Sequence, residues 1–379
     1  MFFFGTLRHI PLLRAVLGHD AQDVRLSDAT LADHVVSSAA EGPYPTIAFK
    51  TGATAHGLLA QGLSRDDLAR LHFFEDSFGY QPHPLMLTDG RPVLVYLPQP
   101  GAGTPDGPWS LEDWAKDWAA LSCHAAREVM GYFGDRTATE VAAMFPRIRA
   151  RALQKVNGAK SLHGAGTLQG QIDIRKTKRS YAHHYAVDDV WLRHARFDGT
   201  MSAEIERAVF IGSDAAILLP YDPQRDRVLL VEQMRMGPLA RGDRAVWQLE
   251  PIAGGIDPGE TPQEAARREA VEEAGLRLGE MEKIAEVYAS PGNATEFFYV
   301  FVGCADLPDS AAQSGGLEAE DEDIRSHLLS FDELMALVTG FGATNAPLVM
   351  AAFWLAQNRD RLRLAWAKDT PEPGTSGTL

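Results

Sequence analysis

Short apolar runs broken by glycine and proline fill roughly the first 100 residues, at Met1–Leu7, Thr46–Phe49, Ala55–Leu59 and Val93–Leu97. Runs of this length between turn formers predict a small strand-rich domain. Met1-Phe2-Phe3-Phe4 reads as the first of these strands rather than a targeting segment: it has no basic leader, and Gly5, Arg8 and His9 interrupt it within a turn. Gln99–Pro108 has the composition of a loop. From Ser110 to about Gly158 the period changes. Trp114, Trp118, Leu121 and Ala125 recur at helical spacing behind the Ser110/Asp113 N-cap pair. This helical stretch is either a linker or an extension packed on one neighbour.

A third stretch, 166–368, mixes both periods. Ala215–Tyr221 and Arg227–Met234 are apolar strands on either side of Asp222–Asp226, a hairpin. Thr261–Gly275 is a helix punctuated at both ends. Thr261 is the N-cap, Pro262 occupies the first helical position, Glu264 completes a capping box and Gly275 stops it. Ala265, Ala266, Ala270 and Val271 are expected to form its inward surface. Phe331–Thr339 and Asn345–Lys368 read as closing helices, and 369–379 (DTPEPGTSGTL) as a disordered tail.

Composition narrows the function. The chain of 379 residues exceeds one typical core, so two domains are expected. Its formal charge of −15 argues against a nucleic-acid backbone as partner. No apolar run reaches the ~20 residues a membrane-spanning helix needs. The two cysteines, Cys123 and Cys304, are too few and too far apart for a disulfide framework or thiolate metal site. A cytoplasmic protein is the economical reading.

The chemistry concentrates between Gly254 and Leu276. Glu269, Glu272 and Glu273 share one helix face by their spacing of three and four, and like charges so placed repel. The Gly-rich loop Gly254–Glu260 adds another carboxylate just before the helix. A solvated acidic face would explain three glutamates alone. The whole pattern is Gly254, five residues, Glu260, seven residues, Arg268-Glu269, two residues, Glu272-Glu273, one residue, Gly275-Leu276. It resembles the Nudix hydrolase signature, with Ala270 where a larger aliphatic residue is more usual.

That resemblance implies a metal-dependent diphosphate hydrolase. Hard cations take carboxylate, carbonyl, water and phosphate oxygens, and they polarise phosphorus and activate water. Glu269, Glu273 and the Ala253 carbonyl are the implied ligands of Mg²⁺, with Mn²⁺ as the alternative. Glu272 and Arg268 are implied catalytic residues, Arg268 orienting a carboxylate; an ordinary surface ion pair is the other reading of Arg268.

The flanks, across roughly Ser180–Lys368, resemble ADP-ribose pyrophosphatases in four segments: Phe197–Arg207, Val231–Arg235, Leu249–Gly254 and Ser290–Glu296. The resemblance implies that Arg207 and Arg235 meet phosphate or ribose oxygens. It places Ser290 and Glu296 at or near the terminal ribose and counts Gly255 among the substrate-binding residues. Tyr185, with His184, either stacks on the adenine or is a half-buried strand aromatic. Five acids in the six residues Glu318–Asp323 sit where the family carries a mobile catalytic loop. Glu320 is assigned as the base that activates water and Glu322 as an additional metal ligand.

At the N-terminus, Phe4-Gly5-Thr6-Leu7 and Leu71–Tyr80, with Tyr44-Pro45 and Gly57, resemble the γ-glutamylcyclotransferase-like family across about Met1–Leu97. Glu75 is then the catalytic carboxylate. Framed by Phe73, Phe74 and Phe78, it would have a raised pKa, and the Gly5–Leu7 turn would hold a substrate carboxylate. Phe4 stands where that family has tyrosine and His72 where it often has aspartate, so a retained fold without activity is the alternative. The joint arrangement resembles bacterial proteins associated with tellurite resistance, a stress phenotype that names no substrate.

The expected architecture is therefore α/β (α+β). A small β-barrel-like cyclotransferase fold spans 1–100, a helical connector or extension 101–165, and a Nudix α/β/α sandwich 166–368. The expected reaction is hydrolysis of ADP-ribose to AMP and ribose 5-phosphate by a homodimer. Another nucleoside diphosphate sugar, such as GDP-mannose, is the nearest alternative. A nucleotide-binding sensor without turnover is the reading from a different class, and the crowded carboxylates weigh against it.

Overall fold

The computed structural model describes residues 1–161, 166–168, 170–312, 314–315 and 323–366. The chain divides into two compact units, Met1–Thr167 and the remainder from Leu168. The helical stretch after residue 101 belongs to the first of them.

In the first unit the elements run β1 (Phe2–Phe3), α1 (Ile10–Leu17), β2 (Arg25–Ala39), β3 (Gly42–Gln61), α2 (Arg65–Asp76), β4 (Tyr80–Met86), β5 (Pro92–Pro98), β6 (Pro105–Pro108), α3 (Leu111–Met130) and α4 (Ala138–Lys160). The six strands form one sheet in the order β4-β5-β1-β3-β2-β6. The expected barrel-like sheet does not close into a full barrel: its path ends at β4 and β6, and only an isolated antiparallel bridge, Leu31↔Leu87, joins the end of β4 to β2. The expected first strand, Met1–Leu7, is also shorter. It ends at Phe3, and Thr6–Arg8 turn as a 3₁₀ segment closed by Arg8 N–H donating to the Gly5 carbonyl at 3.1 Å.

Both long helices are capped as their sequences demand. Ser110 accepts from the Asp113 N–H, and Thr137 and Glu140 form a capping box. Between them a buried ion pair, Arg151 to Glu128 at 2.5 Å, neutralises two charges that would be costly alone.

In the second unit the order is β7 (Ile172–Ala182), β8 (Ala186–His194), β9 (Ile205–Ile211), β10 (Asp214–Asp222), β11 (Arg227–Met234), α5 (Met236–Arg241), β12 (Trp247–Glu250), β13 (Ile252–Gly255), α6 (Pro262–Ala274), β14 (Leu278–Tyr288), β15 (Phe297–Ala305), β16 (Ser314–Gly315), β17 (Ile324–Ser330), α7 (Phe331–Thr339) and α8 (Ala346–Trp366). Strands β7-β8-β9 form a small antiparallel sheet that no apolar run predicted, because five of the eleven residues of β7 are charged and most of the strand is exposed. The main sheet runs β14-β15-β10-β11-β17-β16, with β12 on β11 and β13 on β10. The expected hairpin forms at Tyr221↔Val228.

Strand β10 is buried on both sides. Ile217, Leu219 and Tyr221 pack with Leu334, Val338, Leu348, Leu355 and Trp366 of α7 and α8. Alternate residues of β10 take the other face, where α6 lies against β10 and β13. The result is the expected α/β/α sandwich. A fully buried leucine such as Leu348 contributes about 1.5–3 kcal/mol.

Helix α6 needs one correction. Ala265, Ala266 and Ala270 are buried as expected, but Val271 is 55% exposed. At ~100° per residue, position 271 rotates out of the stripe that 266, 270 and 273 share. Glu273, at 3% exposure, takes the inward place instead.

Candidate active site

Helix α6 starts and stops where its sequence directs. Thr261 and Glu264 cap each other reciprocally, with the Thr261 N–H donating to Glu264 at 2.7 Å. Gly275 adopts the left-handed conformation, and the Leu276 N–H donates to the Ala270 carbonyl at 2.8 Å. Just before the helix, Glu260 accepts the Asp257 N–H at 2.7 Å and so is held at the mouth of the loop.

Arg268 is the hub of the acidic face. Its Nη1 donates to Glu269 at 2.6 Å and to Glu272 at 2.9 Å. Its Nη2 donates to Glu260 at 2.8 Å and to the Gly255 carbonyl at 2.9 Å, and its Nε reaches Glu260 at 3.2 Å. These carboxylates hold the guanidinium far above its ordinary pKa, Glu260 most strongly. One planar cation therefore offsets the repulsion among three carboxylates and ties the helix to strand β13. The surface ion-pair reading of Arg268 does not describe this side chain.

The Gly-rich approach fits that arrangement sterically. A Cβ on Gly254 would stand 1.8 Å from Glu269 Oε1, so only glycine lets the carboxylate lie against the strand. Gly254 pairs with Ala216 and Ala253 with Ile217, which places the Ala253 backbone one residue from this approach.

The second cluster gathers around Gly212. The Phe210 N–H donates to the Asn293 carbonyl at 2.8 Å, and the Thr295 N–H donates back to Phe210 at 3.0 Å. A Cβ on Gly212 would meet Glu296 Cγ at 2.3 Å. Burial raises the Glu296 pKa. The Ser290 hydroxyl donates to Asn293 at 2.6 Å and braces the same loop. Tyr185 packs on Phe210 with centroids 4.9 Å apart, and His184 packs edge-on against Tyr185 at 4.6 Å. The Tyr185 ring is nevertheless 46% exposed. Because the Ile256 N–H donates to the Asp214 carbonyl, the span Gly212–Asp214 joins this loop to the Gly-rich approach.

Arg235 is committed to Glu250 through Nε at 2.8 Å and Nη2 at 2.7 Å, and Asn345 donates to the other Glu250 oxygen at 3.2 Å. Arg207 is exposed on β9, its Nη1 donating to the Glu206 carbonyl, and no described contact joins it to the loop. Glu320 and Glu322 lie outside the described residues, as does the 369–379 tail.

In the first unit a cavity of about 150 Å³ is lined by Gly5, Thr6, Leu7, Phe74, Glu75, Phe78 and residues of α3 and α4. Glu75 is thus brought to the Gly5–Leu7 turn. Burial raises its pKa to about 8. Phe73 does not frame it: that ring packs on Phe133 with centroids 5.5 Å apart. The side chains at positions 73 and 75 leave α2 about 200° apart, which sends Phe73 to a different side of the helix.

Residues 212–351 match the family described as NUDIX domain, and residues 1–116 match gamma-glutamyl cyclotransferase, AIG2-like. An "ADP-ribose pyrophosphatase" of Escherichia coli is 36% identical over 199 residues, 52% of this chain and 94% of that protein. The chain belongs to the Nudix family. A Haemophilus influenzae protein of the same name is 31% identical over 93% of its length, and an Escherichia coli "GDP-mannose pyrophosphatase" 30% identical over 86% of its length. A solved structure, "Crystal structure of ADP compounds hydrolase", is 22% identical, covers 52% of this chain and 100% of its own, and has a TM-score of 0.40.

Nudix hydrolases generally work with divalent cations. Among the described residues no three His, Cys, Asp or Glu side chains are arranged as a ready metal cluster. Arg268 occupies the space between the carboxylates of Glu260, Glu269 and Glu272. The donor chemistry nonetheless fits a hard divalent ion: only oxygens are offered, and the glycine at 254 leaves room for the Glu269 carboxylate beside a strand backbone.

Two residues acquire a place here that the Nudix pattern alone did not assign. Glu260 is a direct partner of Arg268, and Glu250 anchors Arg235. Both are visible as carboxylates near the motif, but their partners are set by how β12, β13 and α6 meet.

Proposed function

We propose that this chain hydrolyses the diphosphate of ADP-ribose, with AMP and ribose 5-phosphate as products. The carrying observation is the Arg268 clamp on Glu260, Glu269 and Glu272, inside a unit that spans 94% of a relative named "ADP-ribose pyrophosphatase". Glu269, Glu273 and the Ala253 carbonyl would hold Mg²⁺, with Glu322 as a further ligand and Mn²⁺ as the alternative ion. The bound ion supplies charge neutralisation at the diphosphate and acidifies water.

The protein's own groups do the rest. Glu320 takes the proton of the attacking water, the phosphorus–oxygen anhydride bond breaks, and the leaving phosphate takes the electron pair. Glu272 stands beside the reacting centre. Arg268 keeps Glu269 and Glu272 oriented. Arg235 and Arg207 meet substrate oxygens, Gly255 lets the substrate approach the backbone, and Ser290 and Glu296 hold the terminal ribose. Tyr185, with His184, stacks on the adenine. Its exposed ring beside the Ser290–Glu296 loop supports that role.

A homodimer in the cytoplasm is part of the same reading, and two buried cysteines that form no disulfide suit a reducing compartment. The first unit is either a γ-glutamyl cyclotransferase or a scaffold without turnover.

Hydrolysis of GDP-mannose is the second reading, favoured by the relative of that name. Steady-state assays of the purified protein on ADP-ribose, GDP-mannose, ADP-glucose and NADH decide between them. ADP-ribose is expected to show the highest kcat/KM; the absence of a rate advantage for it overturns the proposal.

A further inference from the structure

A second opening in the first unit lies between the β2–β3 turn, the end of β6 and the first turns of α3. Its volume is about 390 Å³, within the range of small-molecule sites. Neither Glu75 nor the Gly5–Leu7 turn lines it, and it shares only Pro43, Tyr44, Trp114 and Trp118 with the cavity that they border. Two kinds of side chain dominate its wall. Trp109, Trp114, Trp118 and Tyr44 supply aromatic rings, and Asp113 and Asp117 supply carboxylates. Helical spacing creates that mixture, because positions 113, 114, 117 and 118 lie on one side of α3, with Trp109 just ahead of its Ser110 cap.

The charge on this wall is one-sided. Among the described residues no lysine, arginine or histidine lines it. Arg149 lies over the Trp118 ring, 5.8 Å from its centroid, but borders the other cavity, which leaves the half-buried rings of Trp109 and Tyr44 for a ligand. The start of α3 contributes about half a positive charge, against two carboxylates four residues apart. Such a pair repels on a helix surface, and a cation between the two relieves it. Glu41 adds to the field: after burial it is the next cause that holds the Tyr44 phenol above its ordinary pKa, with Arg149 opposing. Trp114 is 4% exposed, and its indole N–H, like that of Trp109, has no acceptor among the described residues. An oxygen on a ligand supplies one, directly or through a single water.

We propose that this opening binds a small organic cation of the amino-alcohol class, its ammonium group drawn to the rings of Trp109 and Tyr44 and to the carboxylates of Asp113 and Asp117. The faces of aromatic rings attract an alkylammonium group, and the two acids answer its charge. The ligand hydroxyl meets the indole N–H groups. The same acids turn away a carboxylate or a phosphate.

The test uses the full chain and four probes: choline, its uncharged isostere 3,3-dimethylbutan-1-ol, tetramethylammonium, and methyl β-glucoside as a neutral polyol. Calorimetric titration is read alongside tryptophan emission, since Trp109, Trp114 and Trp118 line the opening. Choline is expected to bind one to one, about tenfold or more tighter than the isostere or the glucoside. Tetramethylammonium, which keeps the charge without the oxygen, should bind a few-fold more weakly than choline. Asp117→Asn should weaken choline by about threefold or more and leave the isostere unchanged. This variant removes a repulsion between neighbours on the helix, so it keeps the fold. Glu75→Gln should leave choline binding unchanged. Absence of saturable choline binding, equal binding of the isostere, preference for the glucoside, no advantage over tetramethylammonium, indifference to Asp117→Asn, or loss of binding in Glu75→Gln each overturns the proposal.

Discussion

Gly254 and Glu269 touch so closely that a single methyl group on the former would stand 1.8 Å from the carboxylate of the latter. Strand β13 and helix α6 are joined at this point, and Arg268 reaches the Gly255 carbonyl beside it at 2.9 Å. Gly254→Ala should therefore displace Glu269 while keeping most of the fold. A strained insertion of this kind costs about 1–3 kcal/mol. The expected result is a modest fall in thermal stability with a much larger fall in kcat, read by calorimetry and steady-state hydrolysis of ADP-ribose.

Arg268 tests whether a fork or merely a charge is needed. Lysine keeps the charge but cannot reach Glu260, Glu269, Glu272 and the Gly255 carbonyl together. Arg268→Lys should lower kcat by about 10–100-fold, since misplaced catalytic groups cost on that scale. KM should move much less. Near-native kcat in this variant would reduce the clamp to a surface ion pair.

Glu269→Gln removes, at nearly constant shape, a charge proposed to bind the metal. Turnover should be abolished at ordinary Mg²⁺ concentrations while circular dichroism stays unchanged. A chelator should silence the native protein in the same way, and added Mg²⁺ should restore it. Retention of most activity by the variant would mean that the site lies elsewhere.

Glu75 carries a pH signature. Its folded-state pKa is pushed up to about 8 by burial, whereas an unfolded chain releases the proton near the ordinary glutamate value. Between those two values the folded state binds the extra proton, so stability of the first unit falls as pH rises from about 4.5 to 8 and levels off above it. Glu75→Gln should flatten that slope. At about 1.4 kcal/mol per pH unit the difference amounts to a few kcal/mol at most. Carbon-13 NMR of labelled glutamate follows the titration directly; a carboxyl titrating near 4.5 would contradict the burial argument.

Much of the second unit was legible in the chain. The caps of α6 depend on residues three apart, and the hairpin at Asp222–Asp226 on immediate neighbours, so local chemistry sets both. The motif likewise declares acidic positions at helical spacing, of which Glu269 and Glu272 meet Arg268 while Glu273 turns inward. The sheet β7-β8-β9 was not legible, since its exposed charged positions mask the alternating pattern. Nor was the outward turn of Val271, which depends on where the helix meets the sheet.

What the sequence determined by itself is chemistry carried on short spans: the acidic helix, its glycine approach and the isolated Glu75. What only the tertiary structure decided is how distant residues share a site. Gly254 and Glu269 stand fifteen residues apart in the chain, and their contact exists because β13 pairs with β10 while α6 packs over both. Sequence spacing reports neighbours on one element, whereas the approach between elements is set by what each buries against the other.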